Sequence, residues 1–396
     1  MTIAEACMEK QSLEAGVLPL NKEENICALV LGTRLGMQAM LGGGYEHLQR
    51  HIDAAEWALK PEVKCLFGDE TASVFPGEDA AGETMAEVAE PLLFMRWQNK
   101  RDGWLLLPCE EGEHNGEHLK EAVIACAVHE KRPAAYLRWL IENNAFCSTM
   151  ADCAERLVEG DEEAFPELSA GDGLRFVKDL APYRKRRQRM LGGAGAVIAS
   201  AAFLCGVDSI GESMRDEVIR TFLAQILTEE IMPCISDDRQ EGLAYAARVC
   251  TYLENACGQV KWPEMGESLI ARYMASVVPT INEYVHANGT LPLRLCMALS
   301  ALIMLYAGVR RNDDGKFTLP AEAGDADISD DETALQAFSY MSCDMPPESL
   351  AYAALSDHEI WGCDLREIDG IEDAVTADLR DMQLLGARAA LQEVTK

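Results

Sequence analysis

The sequence predicts two domains, an α/β domain followed by an all-α domain, on three observations. Short apolar runs alternate with helically spaced stretches over the first part of the chain. An acidic, glycine-bearing segment then interrupts the alternation. Beyond it, apolar residues recur at helical spacing to the C-terminus. A chain of 396 residues also exceeds one ordinary compact core.

Residues 1–20 read as a peripheral helical start. Ile26–Leu31 (ICALVL) is a short apolar run ending at Gly32, which suits a buried strand. Glu46–Leu59 has helical spacing. Val63–Phe67 and Trp104–Leu107 are further buried strands, with the helical stretch Thr84–Trp97 between them. Strands alternating with helices imply a mostly parallel sheet. The segment Val158–Gly173 (VEGDEEAFPELSAGDG) breaks the pattern and sets the domains at 1–165 and 166–396. In the second domain Val218, Phe222, Ile226 and Ile231 mark one amphipathic stripe. Leu243, Ala246, Val249 and Leu253 mark another, and Val375, Leu379, Met382 and Leu385 a third. Gly193–Val207 and Leu295–Val309 are apolar throughout. At fifteen residues each they fall short of the roughly 18 that suggest a membrane span, so they read as buried core helices. An acidic loop, Arg311–Glu332, interrupts the helices.

The formal net charge is −31, from 66 acidic and 35 basic residues. Such a charge repels nucleic-acid phosphates and anionic membrane, which excludes both as partners. The fourteen cysteines include no C-x-x-C pair, a pattern of reduced thiols rather than a disulfide or zinc framework. No basic stretch followed by an apolar one opens the chain, so the expectation is a cytoplasmic protein.

Four constellations bear on chemistry. Leu31-Gly32-Thr33-Arg34-Leu35-Gly36 stands where a phosphate loop would, but lacks the second glycine that lets backbone approach a pyrophosphate; the plainer reading is a strand-to-helix turn. Glu110–His118 places two histidines four apart, His114 and His118, beside carboxylates. That spacing suits a shared metal on a helix, but Gly116 lies between them, and a solvated helix start explains the stretch equally. Tyr183–Arg189 carries five basic residues in seven. They either grip a carboxylate or phosphate ligand or neutralise the chain's own acidic segments. Gly192-Gly193-Ala194-Gly195 has a nucleotide loop's glycines but no preceding strand, and reads as a closely packed helix.

Several segments resemble the tagaturonate reductases (altronate oxidoreductases) of the mannitol dehydrogenase family in order and spacing. They are Gly103–Glu110 (GWLLLPCE) with Asn115-Gly116, Asn144–Asp152 (NAFCSTMAD), Asp179–Tyr183 (DLAPY), Gly206–Met214 (GVDSIGESM) and Ala287–Leu295 (ANGTLPLRL). Trp361, Asp364, Leu365 and Gly370 continue the series. The resemblance implies an abbreviated Rossmann-like N-terminal domain and a helical C-terminal domain of the mannitol dehydrogenase type. It also implies an NAD-dependent oxidoreductase ancestry.

The family's catalytic helix carries a lysine base, then an asparagine and a histidine that hold the substrate oxygen. The resemblance puts Arg187, Gly192 and Gly195 at those three positions. Arginine stays protonated and glycine donates no side-chain hydrogen bond, so all three roles fail. Asn255 is followed by Ala256 where the family has proline, Val260 stands at a family histidine, and Cys153 at a family arginine. The family's Gly-x-Gly-x-Phe fingerprint does not precede Cys109, so fewer than six strands and no cofactor are expected. Gly68-Asp69-Glu70-Thr71 departs from the family loop. The resulting expectation is a non-catalytic relative that binds a small sugar acid or other anion, with Arg187, Asn144 and Arg294 as ligand candidates, or a protein partner. The alternatives are an NAD-dependent hexuronate or polyol oxidoreductase with a rearranged site, or an enzyme of another class using Glu110–His118.

Overall fold

The computed structural model describes residues 14–21, 26–32, 48–50, 52–68, 85–109, 112–152, 155–161, 174–235, 238–255, 257–262, 264–320 and 325–396. The chain divides into two compact units, Met1–Tyr183 and Arg184–Lys396. The boundary expected between residues 165 and 166 lies outside the described residues.

The first unit is built on strands β1 (Glu14–Asn21), β2 (Ile26–Gly32), β3 (Gln49–Arg50), β4 (Val63–Gly68), β5 (Leu105–Pro108) and β6 (Ala145–Phe146), in the order β3-β1-β2-β4-β5-β6. This corrects the expectation of fewer than six strands. Only β2, β4, β5 and β6 run parallel; β1 pairs antiparallel with both β2 and β3. The parallel core is therefore the abbreviated part. β1 also corrects the helical start expected for residues 1–20 where it is described, from residue 14; residues 1–13 lie outside the described residues. The register of β1 shifts between Pro19 and Asn21, where proline cannot donate to the ladder.

Strand β2 is apolar at every step because both faces of the sheet are covered. Cys27, Leu29 and Leu31 pack toward helices α1 (Ala54–Ala58), α2 (Met85–Gln98), α3 (Asn115–His129) and α4 (Ala134–Asn143). Ile26, Ala28 and Val30 pack on the other face with Val158, Leu174 and Phe176. Those residues belong to a second sheet of β7 (Thr149–Asp152), β8 (Glu155–Glu159) and β9 (Leu174–Val177). Asn115 ties helix α3 to β7: its Oδ1 accepts from Thr149 N at 3.0 Å and its Nδ2 donates to Thr149 O at 3.2 Å. Gly116 leaves no room for a side chain, because a Cβ there would lie 2.5 Å from the Cys147 carbonyl carbon.

In the second unit the two apolar runs become α6 (Gly193–Leu204) and α13 (Leu293–Tyr306), packed together at its centre. Every residue of α13 from Leu295 to Tyr306 is buried. The acidic loop expected over Arg311–Glu332 holds a three-stranded antiparallel sheet of Arg310–Arg311, Phe317–Leu319 and Ala326–Asp327. Asp378, on helix Ile371–Leu385, meets α13 where Ser300 Oγ donates to its Oδ2 at 3.0 Å. Burial pushes its carboxyl up to about 7. The charged form is thus disfavoured in the folded state. Stability is full below the ordinary carboxyl range and is lost as pH rises through about 7. Asp378→Asn is expected to unfold at higher urea than wild type at pH 8, by roughly 1–2 kcal/mol, and to approach it as pH falls below about 4. Equal midpoints at pH 8 would place the charge in solvent.

Candidate functional site

Helix α5 (Ala181–Arg187) continues through a π-helical turn, Gln188–Gly192, into α6. π-turns insert one residue per turn and recur at functional positions. Two more, Ile226–Ile231 and Tyr273–Val277, pack against the first. The π-turn carbonyl of Gln188 accepts from Ser276 Oγ at 2.8 Å. Gly193 sits 3.6 Å, measured from an added Cβ, from both Ile231 Cδ1 and Ser276 Cβ. The small residues here let three helical segments approach closely.

The basic run is largely consumed by the chain's own acids. Arg186 is buried, donates to Glu241 Oε1 at 2.9 Å and lies 4.1 Å over the Tyr245 ring. Arg189 is buried, donates to Ala275 O and Ser276 O at 2.9 and 3.1 Å, and reaches Glu283 at 3.2 Å. Lys185 pairs with Glu283 at 3.0 Å. Arg187 is half-buried at the entry to the π-turn.

Gly192 and Gly195, the residues the resemblance sets at the family's asparagine and histidine, each face a side chain from another helical segment. A Cβ on Gly192 would lie 3.2 Å from Ser276 Oγ. A Cβ on Gly195 would lie 2.6 Å from Arg272 Nη2. Arg272 is half-buried, and burial pushes its guanidinium below its ordinary range. Its Nη1 donates to Met265 O at 2.9 Å. Among the described residues its guanidinium has no carboxylate within ion-pairing distance and no second hydrogen bond. A half-buried cation with an uncommitted edge is a group suited to an anion.

The other candidates are placed differently. Arg294 donates from Nε to Gln225 Oε1 at 2.8 Å and pairs with Glu229 and Glu230 at 3.0 and 3.4 Å. Glu230 in turn accepts from Arg294 N and Leu295 N at 3.0 and 2.8 Å, capping α13. Burial raises the Glu230 carboxyl, and those two amides oppose the rise. Asn144 lies in the first unit, where its Oδ1 accepts from Trp104 N at 2.8 Å and its Nδ2 donates to Leu140 O at 3.2 Å. His114 and Glu117 are 3.8 Å apart and exposed, while Glu110 and Glu111 lie outside the described residues, as do Thr33–Gly36 and Asp69–Thr71. No cluster among the described residues could hold a metal ion, and no helix among them is long and apolar enough to cross a membrane. An open cavity of about 790 Å³, lined by Asn282, His286, Leu291 and Glu367 among others, includes neither Gly195 nor Arg272. Sequence reasoning missed Arg272. The available signal was Gly195 itself, since close-packed interiors fill the volume a deleted side chain leaves.

Residues 179–383 match the mannitol dehydrogenase C-terminal domain. The altronate oxidoreductase of Yersinia enterocolitica is 30% identical over 382 residues, covering 84% of this chain and 77% of that protein. The chain belongs to the mannitol dehydrogenase family. A second altronate oxidoreductase, from Halalkalibacterium halodurans, is 29% identical over 391 residues, 86% of this chain and 76% of its own. D-sorbitol dehydrogenase in substrate-free form shares the fold at a TM-score of 0.60 and 14% identity, covering 85% of this chain and 76% of its own. Mannitol 2-dehydrogenase of Pseudomonas fluorescens, a ternary complex with NAD and D-mannitol, aligns at a TM-score of 0.49 and 16% identity, covering 86% of this chain and 76% of its own.

Membership in this oxidoreductase family corrects the expectation that no cofactor is used. That expectation rested on the absent glycine fingerprint, the short stretch before Cys109 and the departing Gly68–Thr71 loop. A dinucleotide lies along the carboxyl edge of a whole parallel sheet, so a single turn is a poor test of it.

Proposed function

We propose that the protein is a hexuronate-binding member of the mannitol dehydrogenase family, with NAD as cofactor, that does not carry out the family's lysine-based proton transfer. The observation that carries this reading is Arg272 Nη2 lying 2.6 Å from the Cβ position of Gly195. With Gly195 at the family's histidine, as the resemblance implies, the Arg272 guanidinium lies against the point where that side chain would begin. The family lysine is replaced by Arg187, which holds its proton at any working pH. The site can therefore hold a carboxylate, but Arg187, Gly192 and Gly195 provide neither a base nor side-chain donors for a developing alkoxide. The relatives named altronate oxidoreductase favour a sugar acid over a neutral polyol as ligand.

The cofactor fits as far as the sheet goes. Strands β2, β4 and β5 run parallel with their carboxyl ends along one edge, the place where open α/β sheets bind ligands. The residues following β2 and β4, 33–47 and 69–84, lie outside the described set. When bound, NAD would supply hydride chemistry. This chain's own residues, Arg272 among them, would hold the sugar acid.

Calorimetry with D-galacturonate and D-glucuronate in the presence of NAD tests the reading. Wild type is expected to bind. Arg272→Ala is expected to bind at least tenfold more weakly, since a charge-assisted pair is worth about 1.5–3 kcal/mol. Arg187→Ala separates the two cations. Loss of binding there, with Arg272→Ala unchanged, would move the anion to Arg187. Steady NADH oxidation with a keto-hexuronate would instead establish a working, rearranged oxidoreductase.

A further inference from the structure

The short helix that carries Arg272, Leu269–Arg272, is held from a distant part of the chain. Ser268 precedes it in the left-handed region, at φ 51°, and its hydroxyl makes no capping bond. The missing acceptor comes from Asp330, whose Oδ2 receives Ile270 N at 3.0 Å. The same oxygen receives the Tyr306 hydroxyl at 2.6 Å. A backbone bond from Ser268 N to Ser329 O, 3.0 Å, ties the two segments a second time. Tyr306 is fully buried at the end of α13, and its ring packs edge-on against Phe338 at 5.3 Å.

This arrangement fixes more than a helix end. Leu269–Arg272 is the first turn of a longer helical run that continues through the π-turn Tyr273–Val277 into Val278–Asn288, and such a first turn is placed by the partners its leading amides find. Arg272 N donates to Ser268 O at 3.0 Å, so the arginine backbone is placed by the residue the clamp holds. Asp330 also supplies negative charge close enough to favour the protonated guanidinium against its desolvation. It does so without binding the guanidinium, because Asp330 Oδ2 is occupied by Ile270 and Tyr306. The cation is thus compensated at a distance while its Nη2 edge stays available beside Gly195.

From this geometry we infer that Asp330 and Tyr306 are positioning residues for Arg272: the Tyr306–Asp330–Ile270 clamp sets the guanidinium against Gly195 and leaves it uncommitted for a ligand carboxylate. The inference rests on the hexuronate reading for its ligand, and on the clamp alone for its geometry. Its two halves fail separately.

Two measurements decide it. The first compares D-galacturonate with the neutral polyol D-mannitol by calorimetry in wild type, Tyr306→Phe, Asp330→Asn and Arg272→Ala. Tyr306→Phe keeps the ring in its packing and deletes only the hydroxyl. It is expected to weaken galacturonate about fivefold to twentyfold and leave mannitol unchanged, with Asp330→Asn showing the same selectivity. A merely structural role would weaken both ligands alike or lower only the melting temperature. If Arg272→Ala loses galacturonate while Tyr306→Phe and Asp330→Asn keep it, the clamp is overturned and the binding reading stands. If Arg272→Ala also binds normally, the binding reading falls. The second measurement needs no ligand. Phenylglyoxal modification of Arg272, with peptide mapping of the product, is expected to run several-fold faster in Tyr306→Phe than in wild type. An unchanged rate overturns the clamp whatever the calorimetry shows.

Discussion

Arg132→Met is expected to destabilise the first unit by about 3–5 kcal/mol, the usual cost of leaving a buried charge without its partner. The charge at issue is Glu90, only 1% exposed in the middle of helix α2. Both of its carboxylate oxygens are held by Arg132, whose Nε and Nη2 each donate at 2.9 Å. The Arg132 guanidinium lies 3.9 Å from the Phe94 ring centroid, and Tyr136 Oη donates to the Glu90 carbonyl at 3.3 Å. Phe94, Trp97, Tyr136 and Trp139 surround the pair as an aromatic cluster. The double variant Glu90→Leu/Arg132→Met is expected to recover most of the loss, because a buried ion pair exchanged for apolar side chains is often neutral. Urea denaturation of the two single variants and the double closes a mutant cycle. A cost below about 1 kcal/mol for Arg132→Met would show that Glu90 reaches solvent or takes a proton cheaply.

The strands of the first unit were legible because their burial is two-sided. Ile26–Gly32, Val63–Gly68 and Leu105–Pro108 are almost wholly apolar, and a run of that length bounded by polar residues is hard to read otherwise. Strand β1 was not legible. Its residues Leu18, Pro19 and Leu20 are half-buried or exposed beside a short outer strand, so they carry no clean alternation. In the second unit the two apolar helices were plain, but stripe phases were not. Of the stripe read as Val218, Phe222, Ile226 and Ile231, the last three are buried, Ile219 and Leu223 join them, and Val218 is half-buried. Leu243 and Leu385, placed on core stripes by spacing, are 40% and 54% exposed. At the candidate site, the replacement expected at Arg187, Gly192 and Gly195 comes from the resemblance alone. The identity of the groups that face the two glycines was not legible. Arg272 meets Gly195, and Asp330 meets Ile270, across sequence separations that no local pattern records.

Gly195→His, which restores the family's side chain, is expected to damage this protein rather than repair it. An ideal Cβ at residue 195 falls 2.6 Å from Arg272 Nη2, closer than real Cβ contacts come. The neighbour is the far end of a flexible side chain and can move, but moving has costs. Arg272 would give up its 2.9 Å bond to Met265 O, and a half-buried guanidinium would have to find solvent past an added imidazole. Overpacking of this kind costs about 1–3 kcal/mol, against which exchanging a helical glycine returns roughly 0.5 kcal/mol. The net expectation is a loss of about 1–2 kcal/mol together with loss of D-galacturonate binding. Gly192→Asn meets only Ser276 Oγ at 3.2 Å and is expected to be milder. The triple variant Arg187→Lys, Gly192→Asn, Gly195→His therefore assembles the family's residue types around a displaced Arg272, and is expected to show no reductase activity. Removing the obstacle gives the decisive comparison. In Gly195→His/Arg272→Ala the imidazole enters vacated space, so the double variant should be more stable than the sum of its singles by about 1–2 kcal/mol, the coupling expected of residues in direct contact. Urea midpoints for the four proteins measure that coupling. Additive effects, with Gly195→His as stable as wild type, would mean that Arg272 does not occupy the histidine's place and would withdraw the residue on which the binding reading rests.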